Sequence, residues 1–290
     1  MPEPARMIVI DIDGTLLPSV GTRISERTCG VLREAESAGL EVVIATGRRQ
    51  AYAMPLLSPI GLRPETVLIT SNGTVTRTIA GQRMDRFFLP VETARALCPA
   101  LRPFGTMVFT FDREGPGELV LESLPALHDR IALWVEANRP WIREVRPLER
   151  AFDGDEAPVQ GMVCGDVVEM RHAEEWLMAS PLAAQIEVHR TEYPARNLTI
   201  VDILPPGCSK GAALRRLAAK RGVARKSILA IGDNWNDLEM LESAGRPFVM
   251  RNGAPELVDL ARQRGWEIAP ANDEDGVAQV LESVLAGSRV

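Results

Sequence analysis

The stretch Met7-Ile8-Val9-Ile10-Asp11-Ile12-Asp13-Gly14-Thr15-Leu16 decides the fold. Four apolar residues running straight into an acid predict a strand that is buried on both faces and ends in charge. Asp11 and Asp13, two residues apart on extended backbone, project to one side, and Gly14 permits a tight turn off the strand end. Paired acids at the carboxyl edge of a sheet are costly unless a cation or a proton sits between them. The plainer reading of the same residues is an acidic strand end that caps a helix.

Outward from this strand, EVVIA (41–45), VLIT (67–70), ILAIG (228–232) and PFVM (247–250) predict further buried strands. Helix-period segments at 25–38, 48–58, 209–221, 236–244 and 255–264 lie between them. Together they predict an α/β, doubly wound parallel sheet. From about residue 82 to 204 the character changes to short strand candidates (107–111, 119–121, 162–165, 186–190 and 198–203) between two helical stretches. The α/β pattern resumes after Pro205-Pro206-Gly207. The expected organisation is therefore a core of residues 1–82 and 205–290, interrupted by an inserted α+β domain at 83–204.

Composition narrows the function. At 290 residues the chain can bury a core and a second unit, and its 46% hydrophobic and 25% charged residues match an ordinary globular protein. A net charge of -6 argues against nucleic acid as a partner. No segment reaches the roughly 20 apolar residues of a membrane span, and the start carries no secretory pattern, so no membrane partner and a cytoplasmic location are expected. Cys29, Cys98, Cys164 and Cys208 are widely spaced, which predicts reduced, buried thiols. His128, His172 and His189, each without an i, i+4 partner, read as structural. The thirty-three basic residues include three lysines only, Lys210, Lys220 and Lys226, so a lysine in a motif position stands out.

Three further clusters follow strand ends. Thr46-Gly47-Arg48 places a hydroxyl and free N–H groups at a helix N-terminus, where an anion is favoured, although the same residues serve as a plain connector. Ser209-Lys210-Gly211 opens the helix after the Pro-Pro-Gly break; a cation there opposes the helix dipole and wants an anionic partner. Gly232-Asp233-Asn234-Trp235-Asn236-Asp237 brings two more acids to the same edge, where Asp11 and Asp233 could hold a hard cation such as Mg2+. In open α/β sheets ligands bind outside the carboxyl ends of the strands, where all four clusters would converge.

The ordered set Asp11-x-Asp13-Gly14-Thr15, Thr46-Gly47-Arg48, Lys210 and Gly232-Asp233-x-x-x-Asp237 resembles the haloacid dehalogenase-like superfamily of phosphohydrolases, across the whole chain. Ser71-Asn72-Gly73, Asp237-Leu238-Glu239-Met240-Leu241 and Asp275-Gly276-Val277 look like its Cof-like subgroup, whose class II cap is inserted after the third strand. The resemblance implies Asp11 as nucleophile, forming an aspartyl-phosphate, and Asp13 as general acid and base, with Lys210 assisting. It implies Mg2+ on Asp11, the Asp13 main-chain oxygen and Asp233, with Asp237 orienting Lys210 or a bound water. Thr46, Gly47, Arg48, Asn72, Gly73, Lys210 and Asn236 would hold phosphate or substrate. The implied substrate is a small phosphorylated metabolite such as a phosphosugar, chosen by the cap. At 250–254 the chain departs from the subgroup's Met-Gly-Asn-Ala turn, having Met-Arg-Asn-Gly-Ala, and Arg251 either reaches an anionic substrate group or faces solvent.

Other readings remain at this level. A phosphosugar mutase on the same scaffold would yield an isomeric sugar phosphate in place of inorganic phosphate. A receiver-like module would accept phosphate stoichiometrically without turnover and would not need Asp13, Thr46-Gly47-Arg48 or a cap. A silent binding protein on a borrowed fold would do neither.

Overall fold

The computed structural model describes residues 4–127 and 131–287; His128 therefore lies outside the described residues. The chain divides into two compact units, Met1–Asp85 with Ser209–Val290, and Arg86–Cys208. In chain order the first unit opens with β1 (Met7–Ile10), α1 (Glu26–Ser37), β2 (Glu41–Ala45), α2 (Gln50–Leu57), β3 (Val67–Thr70), β4 (Val75–Thr78) and β5 (Arg83–Arg86). The second unit holds α3 (Val91–Leu101), β6 (Val108–Thr110), β7 (Leu119–Leu121), α4 (Ala132–Asn138), β8 (Ile142–Glu144), β9 (Gln160–Gly165), α5 (Val167–Ala179), β10 (Glu187–Tyr193) and β11 (Leu198–Leu204). The first unit then closes with α6 (Lys210–Arg221), β12 (Ile228–Gly232), α7 (Leu238–Glu242), β13 (Arg246–Met250), α8 (Pro255–Arg264), β14 (Glu267–Ala269) and α9 (Gly276–Gly287).

The first unit is built on a sheet in the order β14-β13-β12-β1-β2-β3-β4-β5. β1 pairs in parallel with both β2 and β12, which puts the first acidic strand end at the centre. Strand alternation then sorts the core into two layers. Ile8, Ile10, Ile44 and Leu68 face α1 and α9, packing with Val31, Leu32, Val277 and Leu281. Met7, Val9, Val43 and Ile69 face the other way, against Leu214 and Leu217 of α6, Met240 of α7 and Leu257 of α8. Each such buried aliphatic side chain is worth about 2 kcal/mol of transfer free energy. The alternation has a consequence for chemistry: Asp11 continues the Met7 and Val9 face, and this is the face that α6 covers.

The doubly wound core is as expected, but its sheet is mixed. β3 is followed by an antiparallel partner, Val67 opposite Thr78 and Thr70 opposite Val75. The reason lies in Ser71-Asn72-Gly73: Ser71 and Asn72 take the left-handed region (φ 48° and 52°), Gly73 follows at φ 94°, and the chain reverses where a helix would otherwise begin. A Cβ on Gly73 would lie 2.1 Å from the carbonyl oxygen of Ser209, so glycine is required there. That close approach seats the start of α6 against the β3–β4 turn.

The second unit is α+β, with a sheet in the order β10-β11-β9-β6-β7-β8. α3 and α5 cover one face through Leu97, Leu101, Met170 and Leu177 against Phe109, Val163, Val201 and Ile203. Residues around α4 cover part of the other, with Leu127, Ile131 and Trp134 against Leu121, Cys164 and Leu198. The last strand pair of this sheet, β7 with β8, is parallel, and β8 has no counterpart in the sequence reading. His172 is exposed on α5, and His189 contacts the Cys208 carbonyl oxygen at 3.2 Å. No helix among the described residues is long and apolar enough to cross a membrane.

Candidate active site

Four connections at the carboxyl edge of the first unit's sheet carry the candidate residues, and the register places them. Asp11 directly extends β1, its N–H donating to the Ile231 carbonyl at 3.1 Å, and is 3% exposed. On the facing helix, Ser209 caps the N-terminus of α6 by accepting from the Ala212 N–H at 2.8 Å, so Lys210 occupies the first helical position. Its side chain is 1% exposed, and Nζ donates to Asp11 Oδ1 and to Asp237 Oδ1, both at 2.6 Å. The unfavourable cation at a helix N-terminus is thus answered by two buried carboxylates.

Asp237 is a hub. Its Oδ1 accepts from Lys210, while Oδ2 accepts from the N–H groups of Asp233 (3.0 Å) and Asn234 (3.2 Å). Asp233 accepts from Thr15 Oγ1 at 3.2 Å, and its carbonyl accepts from the Ala254 N–H at 2.9 Å. The turn after Asp13 presses on the same carboxylate: a Cβ on Gly14, at φ +80°, would lie 2.2 Å from Asp233 Oδ2. Asn252 braces this turn from outside by donating to the Gly14 carbonyl at 2.8 Å, and Asn272 ties Asn252 to the Leu17 carbonyl. Thr15 entered the sequence reading as a motif position and Asn252 as part of the unusual turn at 250–254, neither with a role, and Asn272 was not singled out. Within that turn Arg251 pairs with Glu274, both about half exposed, which settles its observed partner.

The electrostatics are those of an undercompensated cluster. Oxygens of Asp11, Asp233 and Asp237 all lie within 4.8 Å of one another, and all three residues are buried. Burial pushes the Asp11 carboxyl up to about 7; Lys210 opposes this, and Asp237 and Asp13 reinforce it. Asp233 is raised well above the usual carboxylate range by burial and then by Asp11 and Asp237, with Lys210 and Thr15 opposing. Burial alone would lower the Lys210 ammonium, but Asp11 and Asp237 outweigh it and hold it above the ordinary lysine range. One lysine paired directly with two acids leaves the third with no cation in ion-pair contact among the described residues, and three hard oxygen donors around one point suit a hard divalent cation. Because both Asp237 oxygens are already engaged, Asp11 and Asp233 are the better-placed ligands.

The remaining candidates lie beside this cluster. Thr46 is fully buried, its hydroxyl accepting from the Arg48 N–H at 3.1 Å and its carbonyl from the Asn72 N–H at 3.1 Å. Asn72 packs over Gly47, where an added Cβ would approach its amide to 3.1 Å. Asn236 Nδ2 donates to Asn72 Oδ1 at 3.1 Å, joining the Ser71-Asn72-Gly73 turn to the fourth cluster, while the buried Asn236 Oδ1 has no hydrogen-bond partner among the described residues. Gly73 serves the backbone contact with Ser209 described above. Arg48 grips Asp13: Nε donates to Oδ2 at 2.7 Å and Nη2 to Oδ1 at 2.5 Å. Asp13 itself is about a third exposed, at the rim of the cluster.

The chain is similar to known proteins over nearly its whole length. The model of the haloacid dehalogenase-like hydrolase family matches residues 8–123 and 143–281. The 5-amino-6-(5-phospho-D-ribitylamino)uracil phosphatase of Bacillus subtilis is 28% identical, over 97% of this chain and 99% of its own. The HMP-PP phosphatase of Serratia proteamaculans is also 28% identical, over 97% of this chain and 95% of its own. Among solved structures, a haloacid dehalogenase-like hydrolase from Bacteroides thetaiotaomicron superposes with a TM-score of 0.77 at 26% identity, covering 97% of this chain and 99% of that one.

Proposed function

Because the chain belongs to the haloacid dehalogenase-like hydrolases, we propose that it is a Mg2+-dependent phosphomonoester hydrolase that works through an aspartyl-phosphate on Asp11. The observation that carries this reading is the buried Lys210 bridge between Asp11 and Asp237, with Asp233 beside it. A buried carboxylate at a strand end, next to a fixed cation and a further pair of acids suited to a hard cation, is suited to meet a phosphoryl group.

Asp11 attacks phosphorus through a carboxylate oxygen, and the bond from phosphorus to the leaving oxygen breaks as Asp13 gives that oxygen its proton. In the second half, a water oxygen attacks the phosphorus of the aspartyl-phosphate, its proton passes to Asp13, and the bond to Asp11 breaks to release inorganic phosphate. Lys210 offsets negative charge at Asp11 throughout, and Asp237 keeps Lys210 in place. The Thr46 hydroxyl, the Gly47 N–H and the Asn236 amide are the donors for phosphoryl oxygens, with Asn72 fixing Asn236. Mg2+ held by Asp11, Asp233 and the Asp13 main-chain oxygen would supply the positive charge that offsets repulsion between the carboxylate and the phosphoryl oxygens.

The substrate is read as a small phosphorylated metabolite, a phosphosugar or similar, and the unit Arg86–Cys208 as the part that selects its leaving group. The names of the two bacterial relatives, each a phosphatase, support that class. Four buried cysteines, none in a disulfide among the described residues, fit the cytoplasmic location expected from the sequence. The test is phosphate release from p-nitrophenyl phosphate and a phosphosugar panel, with Mg2+ and with chelator. Metal-dependent release that Asp11→Asn abolishes supports the proposal. Release that survives Asp11→Asn would refute the nucleophile, and an isomerised sugar phosphate without inorganic phosphate would make the protein a mutase.

A further inference from the structure

Arg48 was expected among the phosphate ligands, yet its guanidinium forks onto the Asp13 carboxylate through two near-parallel bonds of 2.7 and 2.5 Å. We infer that Arg48 is a positioning residue for Asp13, seated by the ring of Tyr52, an inference that rests on the acid–base role proposed for Asp13. The backbone of Arg48 is pinned on both sides: its N–H donates to Thr46 Oγ1 at 3.1 Å, and its carbonyl accepts from the Ser71 N–H at 3.0 Å. Its guanidinium carbon lies 4.2 Å from the centre of the Tyr52 ring, and Nη1 approaches the Tyr52 carbonyl at 3.5 Å. The side chain is 13% exposed, against 32% for Asp13.

These contacts divide the labour. Asp13 sits on a turn and is partly solvated, so its carboxylate would otherwise sample several rotamers. A planar guanidinium with two donors fixes both the position and the plane of a carboxylate, which a single point charge does not. Each Asp13 oxygen uses one lone pair in the fork and keeps another for the proton it gives or takes. Tyr52, from the first turn of α2, stops the guanidinium from swinging away through a cation–π contact. The cost of a misplaced acid is large, because displacement of about 1 Å can cost on the order of 100-fold in rate.

The test is the dependence of rate on the leaving group, measured with Mg2+ present on p-nitrophenyl phosphate, whose leaving group needs little protonation, and on an alkyl phosphate, whose leaving group needs it. Arg48→Ala is expected to lower kcat on the alkyl ester by on the order of 100-fold and on the aryl ester by roughly tenfold less. KM for both esters and inhibition by inorganic phosphate should stay within about twofold of wild type. Arg48→Lys, which keeps the charge and loses the fork, should show most of the same defect. Tyr52→Leu, which leaves both charges in place, should shift the profile in the same direction by a smaller factor, and it carries the test if Arg48→Ala folds poorly. Raised KM on both esters with weakened phosphate inhibition would place the guanidinium on the phosphoryl group and overturn the inference. Equal kcat losses on the two esters would overturn it as well. Asp13→Asn is the reference: a steeper leaving-group dependence there but not in the Arg48 and Tyr52 variants sinks this inference alone, whereas no steepening there takes the acid–base role down with it.

Discussion

Removing divalent cation should make this protein less stable as pH rises, and Asp11→Asn should reverse that loss. Burial raises the Asp11 carboxyl from 3.8 to about 7. Between those two pH values the folded state binds more protons than the unfolded state, so stability falls with pH and levels off above about 7. Holding Asp11 ionised in place then costs about 4 kcal/mol, and since Asp233 is raised by the same neighbours the cost belongs to the cluster as a whole. In Asp11→Asn the side-chain oxygen can still accept from Lys210, and one of the crowded charges is gone. In chelator at pH 8 the variant should be the more stable protein by up to about 4 kcal/mol, which for a unit of this size is a rise in Tm of about 10 °C. At pH 4.5 the difference should largely close.

The assay is thermal unfolding of wild type and variant in chelator across pH 4.5 to 8, repeated with excess Mg2+. A cation bound by the ionised acids stabilises the wild type by mass action and should do so most at pH 8. Asp11→Asn should gain much less. Equal wild-type stability at pH 5 and pH 8 in chelator, or a variant less stable than wild type at pH 8, would refute the reasoning from an undercompensated cluster.

Three further outcomes follow from the same contacts. Lys210→Met leaves Asp11 and Asp237 buried without their shared cation, so a loss of about 3–5 kcal/mol is expected in urea unfolding with chelator, together with loss of phosphate release. Asp237→Asn weakens the acceptor for the Asp233 and Asn234 N–H groups and the seat of Lys210; metal affinity, read by titration, should fall roughly 10- to 100-fold. Gly73→Ala drives a Cβ into the Ser209 carbonyl at φ +94°, and urea unfolding should show a loss of about 3 kcal/mol.

How far the sequence carries depends on how local each signal is. The central strands were legible because strands buried on both faces read as unbroken apolar runs, as in Met7–Ile10 and Ile228–Gly232. β14 was not, since Glu267–Ala269 is too short to show a period. β4 was missed for another reason: Ser71-Asn72-Gly73 has the composition of a strand-to-helix connector, and only its left-handed backbone turns the chain back. In the second unit, Gln160 Nε2 donates to Asp202 Oδ1 at 2.5 Å across β9 and β11, and Asp202 lies opposite His189 of β10. Three polar residues on separate strands leave no mark at any one place in the sequence.

Arg48 shows a different kind of illegibility. An arginine after Thr-Gly at a strand end announces that an anion lies nearby, because two parallel N–H donors and a helix N-terminus both favour one. It does not say which anion, since a guanidinium fork fits a carboxylate and a phosphate equally well. Lys210 raised the same question, and its answer is also a protein carboxylate on each side. The cations of this site are therefore engaged with its acids, and on the proposed reading a phosphoryl group would enter an array of charges already ordered by one another. That order explains why charge-altering substitutions at Asp11, Lys210 and Asp237 should change stability as well as rate, while a change at Arg48, whose partner Asp13 is about a third exposed at the rim, should act chiefly on rate.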